Sequence, residues 1–217
     1  MKQSFKIIAI DGGAGSGKST TASILSQRLN LLHVDTGLHY RAVTQSLLNK
    51  LGEVKNFESY LNKNKISFDT ILSAKKSLIV VDGQTYSLSE LRSKRINESV
   101  SNCASIPSVR NALLDYQRSL VSYAKENDFL GVVMEGRDIG SVVLPDADLK
   151  IFLVAAEGIR QDRREKDGEI DQIKTRDKLD STRAIAPLLK TDDSLIIDTG
   201  TLSIEEVYSK IHQTLGF

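Results

Sequence analysis

The chain has 217 residues, which at about 150 residues per domain implies one domain, or one domain with a sizeable insertion. Hydrophobic residues make up 40% and charged residues 26%, so the chain can bury a core and is neither disordered nor collagen-like. Lys and Arg number 29 against 28 Asp and Glu, a net charge of +1; this excludes the electrostatic footprint of a general nucleic-acid binder and leaves any bound anion to be caught locally.

One cysteine, Cys103, cannot form an internal disulfide and offers no CxxC pair. With His33, His39 and His212 scattered, the pattern points to a reducing compartment and against a structural zinc site. No segment reaches the roughly 18 apolar residues that span a bilayer, so a cytoplasmic protein with no membrane partner is expected.

In chain order, a buried strand is predicted at Lys6 to Ile10, a helix over Lys18 to Leu29, a strand at Leu31 to Val34 and a helix over Leu38 to Leu51. Residues 66 to 95 break this rhythm. Strands there lie close together around an Asp82-Gly83 turn, which predicts a small antiparallel insertion docked on the main sheet. The alternation resumes with a helix over Val109 to Ala124 and strands at Gly131 to Glu135, Leu149 to Val154 and Ser194 to Asp198. A final helix over Ser203 to Leu215 opens with the capping-box spacing of Ser203 and Glu206. Five such strands joined by helices predict an open parallel α/β sheet covered on both faces.

Gly12, Gly13, Ala14, Gly15, Ser16, Gly17, Lys18 and Ser19 fit G-x-x-x-x-G-K-[ST] between a strand and a helix, the context that supports a phosphate-binding loop. Glycines let backbone N–H groups approach phosphate oxygens, and the following helix adds its positive end. Lys18 supplies a point charge for the β- and γ-phosphates, and the Ser19 hydroxyl is placed to ligate Mg²⁺. These residues imply nucleoside triphosphate binding and leave the acceptor open.

Six of the 12 arginines fall between Arg137 and Arg183, yet that stretch holds 10 basic residues against 11 acids and is no basic patch. Arg160, Arg163 and Arg164 share one helical face, which fits either a clamp on a transferring phosphoryl group or a solvated face partnered by Asp162 and Glu165. Arg176, Asp180 and Arg183 form a second stripe, suited to a ribose phosphate or to a surface ion pair. The strings GRDIG at Gly136 to Gly140 and Asp35-Thr36-Gly37 follow predicted strands, where open α/β sheets bind ligands; turn or capping roles for Asp138 and Asp35 fit as well.

The segments IDGGAGSGKST, DTGLHYRAVT, EGRDIGSVVLPDADLKIFLVA, RDKLDSTRAIAPL and IIDTGTLSIEEV, in this order along almost the whole chain, resemble the bacterial cytidylate kinases. The resemblance extends to ISFD and LIVVDG in the insertion. It implies a P-loop nucleoside monophosphate kinase fold with a five-stranded parallel sheet, helices on both faces, an inserted monophosphate-binding region and a short lid. The implied core is 1–34, 105–156 and 184–217, with the monophosphate-binding region at 35–104, its antiparallel insertion at 66–95, and the lid at 157–176.

The implied reaction is phosphoryl transfer from ATP to CMP or dCMP, with Mg²⁺ as cofactor and a monomeric protein. Gly12 to Ser19 together with Thr20 match the ATP loop. Ser101, Arg110 and Asp138 match positions that read the cytosine edge, Arg176 and Asp180 those at the sugar, and Arg41, Arg137 and Arg183 the acceptor-phosphate clamp, with Thr36 and Tyr40 alongside. Lys18, Arg137, Arg160, Arg163, Arg164 and Arg183 are the implied catalytic set, with no covalent nucleophile. Gly13 stands where the family usually has proline, and the segment from Arg164 to Arg176 is shorter than the family's usual lid arm. Kinases of other small acceptors, such as AMP, UMP or dephospho-coenzyme A, are the nearest rivals. A P-loop switch would favour an N-K-x-D tetrapeptide, which does not occur.

Overall fold

All five strands read from the sequence form in the computed structural model, which describes residues 4–166, 182 and 186–216. β1 (Lys6–Gly12) leads into α1 (Lys18–Leu29), β2 (Leu31–Asp35) and α2 (Thr36–Leu51). Short α3 (Phe57–Leu61) precedes a hairpin of β3 (Phe68–Ser73) and β4 (Lys76–Val81), followed by α4 (Leu88–Leu91), α5 (Lys94–Ala104) and α6 (Pro107–Glu126). The remaining elements are β5 (Gly131–Gly136), β6 (Leu149–Val154), α7 (Glu157–Lys166), β7 (Leu195–Asp198) and α8 (Ile204–Leu215).

The sheet has seven strands in the order β3-β4-β2-β5-β1-β6-β7, not five. Every pairing is parallel except β3 with β4. The two extra strands belong to the insertion, which extends the sheet where β4 meets β2 at Lys76 and His33. The physical reason lies in burial: Ile79 and Val81 of β4 pack with Leu47 of α2 and Phe57 of α3, and that packing sets the β4 backbone beside the free edge of β2. The hairpin turn is also elsewhere than the sequence suggested. It is the two-residue Ala74-Lys75 link, with Ala74 at φ +53°, the left-handed backbone that tight hairpins require. The Asp82-Gly83 turn follows β4, and Asp82 accepts from the Ser67 N–H at 2.9 Å.

Period-two alternation explains why helices cover both faces. Ile8 and Ile10 of β1 pack with Leu25 of α1 and Ile211 of α8, whereas Ala9 between them packs with Leu120 and Ala124 of α6 on the other side. Such burial stabilises by about 1.5–3 kcal/mol per large aliphatic side chain. Ser203 caps α8 as its spacing predicts, accepting from Glu206 N–H at 3.3 Å. No helix among the described residues is long and apolar enough to cross a membrane.

After β5 the chain makes one π-helical turn, Ile139–Val143, closed by the Leu144 N–H to Ile139 carbonyl bond at 2.7 Å. Periodicity in the sequence carries no sign of it. The C-terminal ends of β1, β2, β5, β6 and β7 share one edge of the sheet, so the loops after them gather at a single crevice.

Candidate active site

Between β1 and α1 the glycine loop turns tightly under α7. Gly15 has φ +71°, and a Cβ there would lie 2.6 Å from the Arg160 carbonyl oxygen, so only glycine fits. Gly17, at φ +85°, starts α1 without a side-chain cap. The first-turn N–H groups of a helix lack partners within it and create an anion-binding end. Lys18 Nζ donates to the carbonyls of Gly12 and Gly13 at 2.9 and 2.8 Å, which holds the ammonium over the loop.

Ser19 begins a polar chain that crosses the sheet edge. Its Oγ donates to Glu135 Oε2 at 2.8 Å, and Glu135 Oε1 lies 2.8 Å from His33 Nε2. Glu135 is the penultimate residue of the fully buried β5, and its carboxylate meets His33 of β2. Thr36 Oγ1 donates to the Glu135 carbonyl at 2.8 Å, and Asp35 caps α2 by accepting from the Leu38 N–H at 3.2 Å. Burial raises the Asp35 carboxyl, but Lys76 and then His33 and the Leu38 N–H outweigh it and hold the group below its ordinary value.

The turn after β5 carries Arg137 and Asp138. The Arg137 guanidinium donates to the Gly12 carbonyl at 2.5 Å. Asp138 forms a buried ion pair with Arg110 of α6, which also donates to the Ala104 carbonyl at 3.2 Å and sits 5.4 Å from the Tyr40 ring centre. Arg41 is nearly buried and donates to the Leu91 carbonyl and Asn97 Oδ1 at 2.7 and 2.6 Å. Lys18, Ser19, Thr20, Thr36, Tyr40, Arg41, Ser101, Arg137 and Asp138 all line one cavity of about 480 Å³. A glycine loop and a carboxylate–guanidinium turn thus open on one shared space.

The cytidylate kinase family model matches residues 8–216. The chain belongs to the cytidylate kinase family. It is 41% identical over 218 residues to the cytidylate kinase of Alkaliphilus oremlandii, covering 95% of this chain and 96% of that one. It is 39% identical to the cytidylate kinase of Desulforamulus reducens, covering 95% of each. With the cytidylate kinase of Chloroherpeton thalassium it shares 38% over 222 residues, covering 95% of this chain and 92% of that one.

Other residues that the resemblance to the cytidylate kinases singles out fall in different places. Ala14, Gly15, Ser16 and Gly17 line the cavity, whereas Gly12, Gly13 and Arg110 are not on its lining; Arg110 touches it through its pair with Asp138. Arg160 donates to the Ala155 and Ala14 carbonyls, each at 3.1 Å, and Arg163 to Gly15 O at 3.3 Å and Thr199 O at 2.7 Å. Through these contacts the two guanidiniums dock α7 onto the loop and the turn after β7, and Arg163 also lines the cavity. Arg164 lines the cavity. Arg176, Asp180 and Arg183 lie outside the described residues.

Three lining or near-lining groups were not singled out from the sequence. Arg92 follows α4 and reaches the cavity, Glu135 meets Ser19, and Thr199 joins α7 to the loop through the Ser16 carbonyl at 3.0 Å. Glu135 and Thr199 fall within the segments EGRDIG and IIDTGT that carry the resemblance, whereas nothing local marks Arg92. Cys103 is fully buried, and burial pushes its thiol up to about 12, so it packs as a small apolar residue.

Proposed function

We propose that this cleft transfers the γ-phosphoryl group of ATP to the phosphate of CMP or dCMP, giving ADP and CDP or dCDP. The observation that carries the reading is the shared cavity, in which the Lys18 loop faces the Asp138 turn. Family membership supports the phosphotransferase class and the acceptor.

The loop N–H groups and Lys18 hold the donor phosphates. The Ser19 hydroxyl and the Glu135 carboxylate form a hard-oxygen pair beside the loop, a donor set that fits Mg²⁺, which is bound through one or two protein oxygens and substrate phosphates. Bound there, Mg²⁺ would supply positive charge to offset the negative charge that develops on the donor phosphates. Arg137, Arg41 and Arg92 lie on the acceptor side, where guanidinium groups suit a phosphate dianion. Arg183 completes that clamp, and Arg176 and Asp180 hold the sugar. Asp138, oriented by Arg110, reads the cytosine edge with Ser101, and Thr36 and Tyr40 frame the pocket.

In the transfer an acceptor-phosphate oxygen bonds to the γ-phosphorus while the bond to the β,γ-bridging oxygen breaks, and the electron pair leaves with ADP. The chain contributes position and charge rather than a covalent nucleophile. We assign the donor loop and the Arg137–Asp138 turn to the core of residues 1–34, 105–156 and 184–217, the rest of the acceptor side to residues 35–104, and the lid to residues 157–176, of which α7 supplies Arg160, Arg163 and Arg164. Product analysis by phosphorus NMR tests the reading. ADP and CDP accumulating in equal amounts from ATP, CMP and Mg²⁺ support it, and ADP with free phosphate contradicts it.

A further inference from the structure

Asp11 lies one residue before the glycine loop, on β1, and is nearly buried. Its two carboxylate oxygens each accept a backbone N–H from the turn after β5: Oδ1 from Ile139 and Oδ2 from Gly140, both at 2.8 Å. These two N–H groups open the π-helical turn, where a helix start leaves donors without partners. Immediately before them stands Asp138, whose carboxylate pairs with Arg110. One residue earlier, Arg137 donates to the Gly12 carbonyl. Bonds from residues 137, 139 and 140 therefore straddle Asp138 and tie it to Asp11 and Gly12. Space behind the turn is closed, since a Cβ at Gly140 would sit 3.2 Å from the Lys150 side chain and 3.4 Å from Asp11 Oδ2.

We propose that Asp11 is a positioning residue for acceptor specificity: by gripping the Ile139 and Gly140 N–H groups it fixes where Asp138 presents its carboxylate to the acceptor base, and it ties that position to the donor loop. The inference rests on the reading of this cavity as a CMP site.

The chemistry of the grip requires an ionised carboxylate. Two convergent N–H donors need two acceptors. A carboxamide offers one acceptor and sets its NH₂ against the second donor, and a protonated acid likewise turns one oxygen into a donor. Burial pushes the Asp11 carboxyl up to about 6, against the lowering effect of its two N–H bonds. Among charges facing it, Asp138 raises and Lys18 lowers it; around the turn also stand Arg137, Arg110 paired with Asp138, Arg118 donating to the Val142 and Val143 carbonyls, and the Lys150–Asp193 pair. The grip therefore loosens as pH falls through this range.

Two measurements test the proposal. In Asp11→Asn, the ratio of kcat/KM for CMP over UMP falls about tenfold, the scale of one misplaced charged hydrogen bond, while KM for ATP moves much less. The ratio matters because the acceptor phosphate titrates alike in both substrates and cancels. In the wild-type protein, the Ile139 and Gly140 amide resonances titrate together with a midpoint near 6, and the CMP-to-UMP ratio follows the same curve; this arm holds even if the variant does not fold. A folded Asp11→Asn protein with the wild-type ratio overturns the proposal. So does a loss shared equally by CMP, UMP and ATP, or wild-type amides that do not titrate together. Wild-type protein that phosphorylates neither CMP nor UMP overturns the reading of the cavity itself, and with it the inference.

Discussion

Ser19 and Glu135, 116 residues apart in the chain, meet through a 2.8 Å hydrogen bond at the mouth of the glycine loop. The pair joins the first turn of α1 to the end of β5, and His33 steadies the far side of the carboxylate. Replacing Glu135 by glutamine keeps the shape and removes the charge. Glu135→Gln lowers kcat by about 10- to 100-fold, the range for removing a group that supports a metal ligand, and raises the Mg²⁺ concentration needed for half the maximal rate. Rates measured against Mg²⁺ concentration check this, and an unchanged requirement separates Glu135 from the metal.

Lys18→Met tests the donor loop. Lys18 Nζ donates to two carbonyls of its own loop, and Lys18→Met keeps a flexible side chain of similar length there, so the loss costs little packing. Turnover falls about 100- to 1,000-fold, as for removal of one charge-stabilising donor, while the melting temperature stays near that of the wild type. Parallel activity and melting measurements decide between this and a structural role.

The buried Arg110–Asp138 pair separates stability from recognition. Asp138→Ala leaves Arg110 buried and uncompensated, at a cost of about 3–5 kcal/mol. Arg110→Met with Asp138→Leu restores most of that stability, because well-packed apolar replacements of a buried pair are often neutral, yet it does not restore preference for CMP over UMP. Urea unfolding and acceptor competition on both variants check the two halves. A double variant that still prefers CMP contradicts base reading by Asp138.

His39 gives the clearest pH signature of the fold. It is buried against Tyr116 with ring centres 5.3 Å apart, and neither ring nitrogen has a hydrogen-bond partner among the described residues. Burial lowers it to about 4, against the raising influence of Asp35. Its folded value lies below the unfolded one of about 6.5, so the unfolded chain binds more protons between those values and stability falls as pH drops through that window. His39→Met removes this loss, on the order of 3 kcal/mol at the acid end, and stabilises the protein at neutral pH by removing unsatisfied nitrogens. Urea midpoints across the window check it; parallel curves for the two proteins contradict it.

The strands, the glycine loop and the capped C-terminal helix were legible because each is written in local spacing: an apolar run, G-x-x-x-x-G-K-S, and Ser203 three residues before Glu206. Edge pairing is not local. The insertion's hairpin joins the sheet because Ile79 and Val81 bury against α2 and α3, which no period within residues 66–95 encodes. For the same reason Glu135 reads as one strand-end acid until β1, β5 and β2 stand side by side and bring Ser19 and His33 to its two oxygens. The i, i+3 spacing of Arg160 and Arg163 showed a shared face, but only the docking of α7 shows that this face meets the loop carbonyls and Thr199.

The most direct test is the initial rate of ADP release from Mg-ATP with CMP, dCMP, UMP, AMP or no acceptor, with a chelator control. Release that requires CMP or dCMP, falls off with UMP and AMP, and stops when Mg²⁺ is chelated is the expected result. Acceptor-independent hydrolysis, or activity only with AMP or another acceptor, contradicts the assignment of this cavity to cytidine monophosphates.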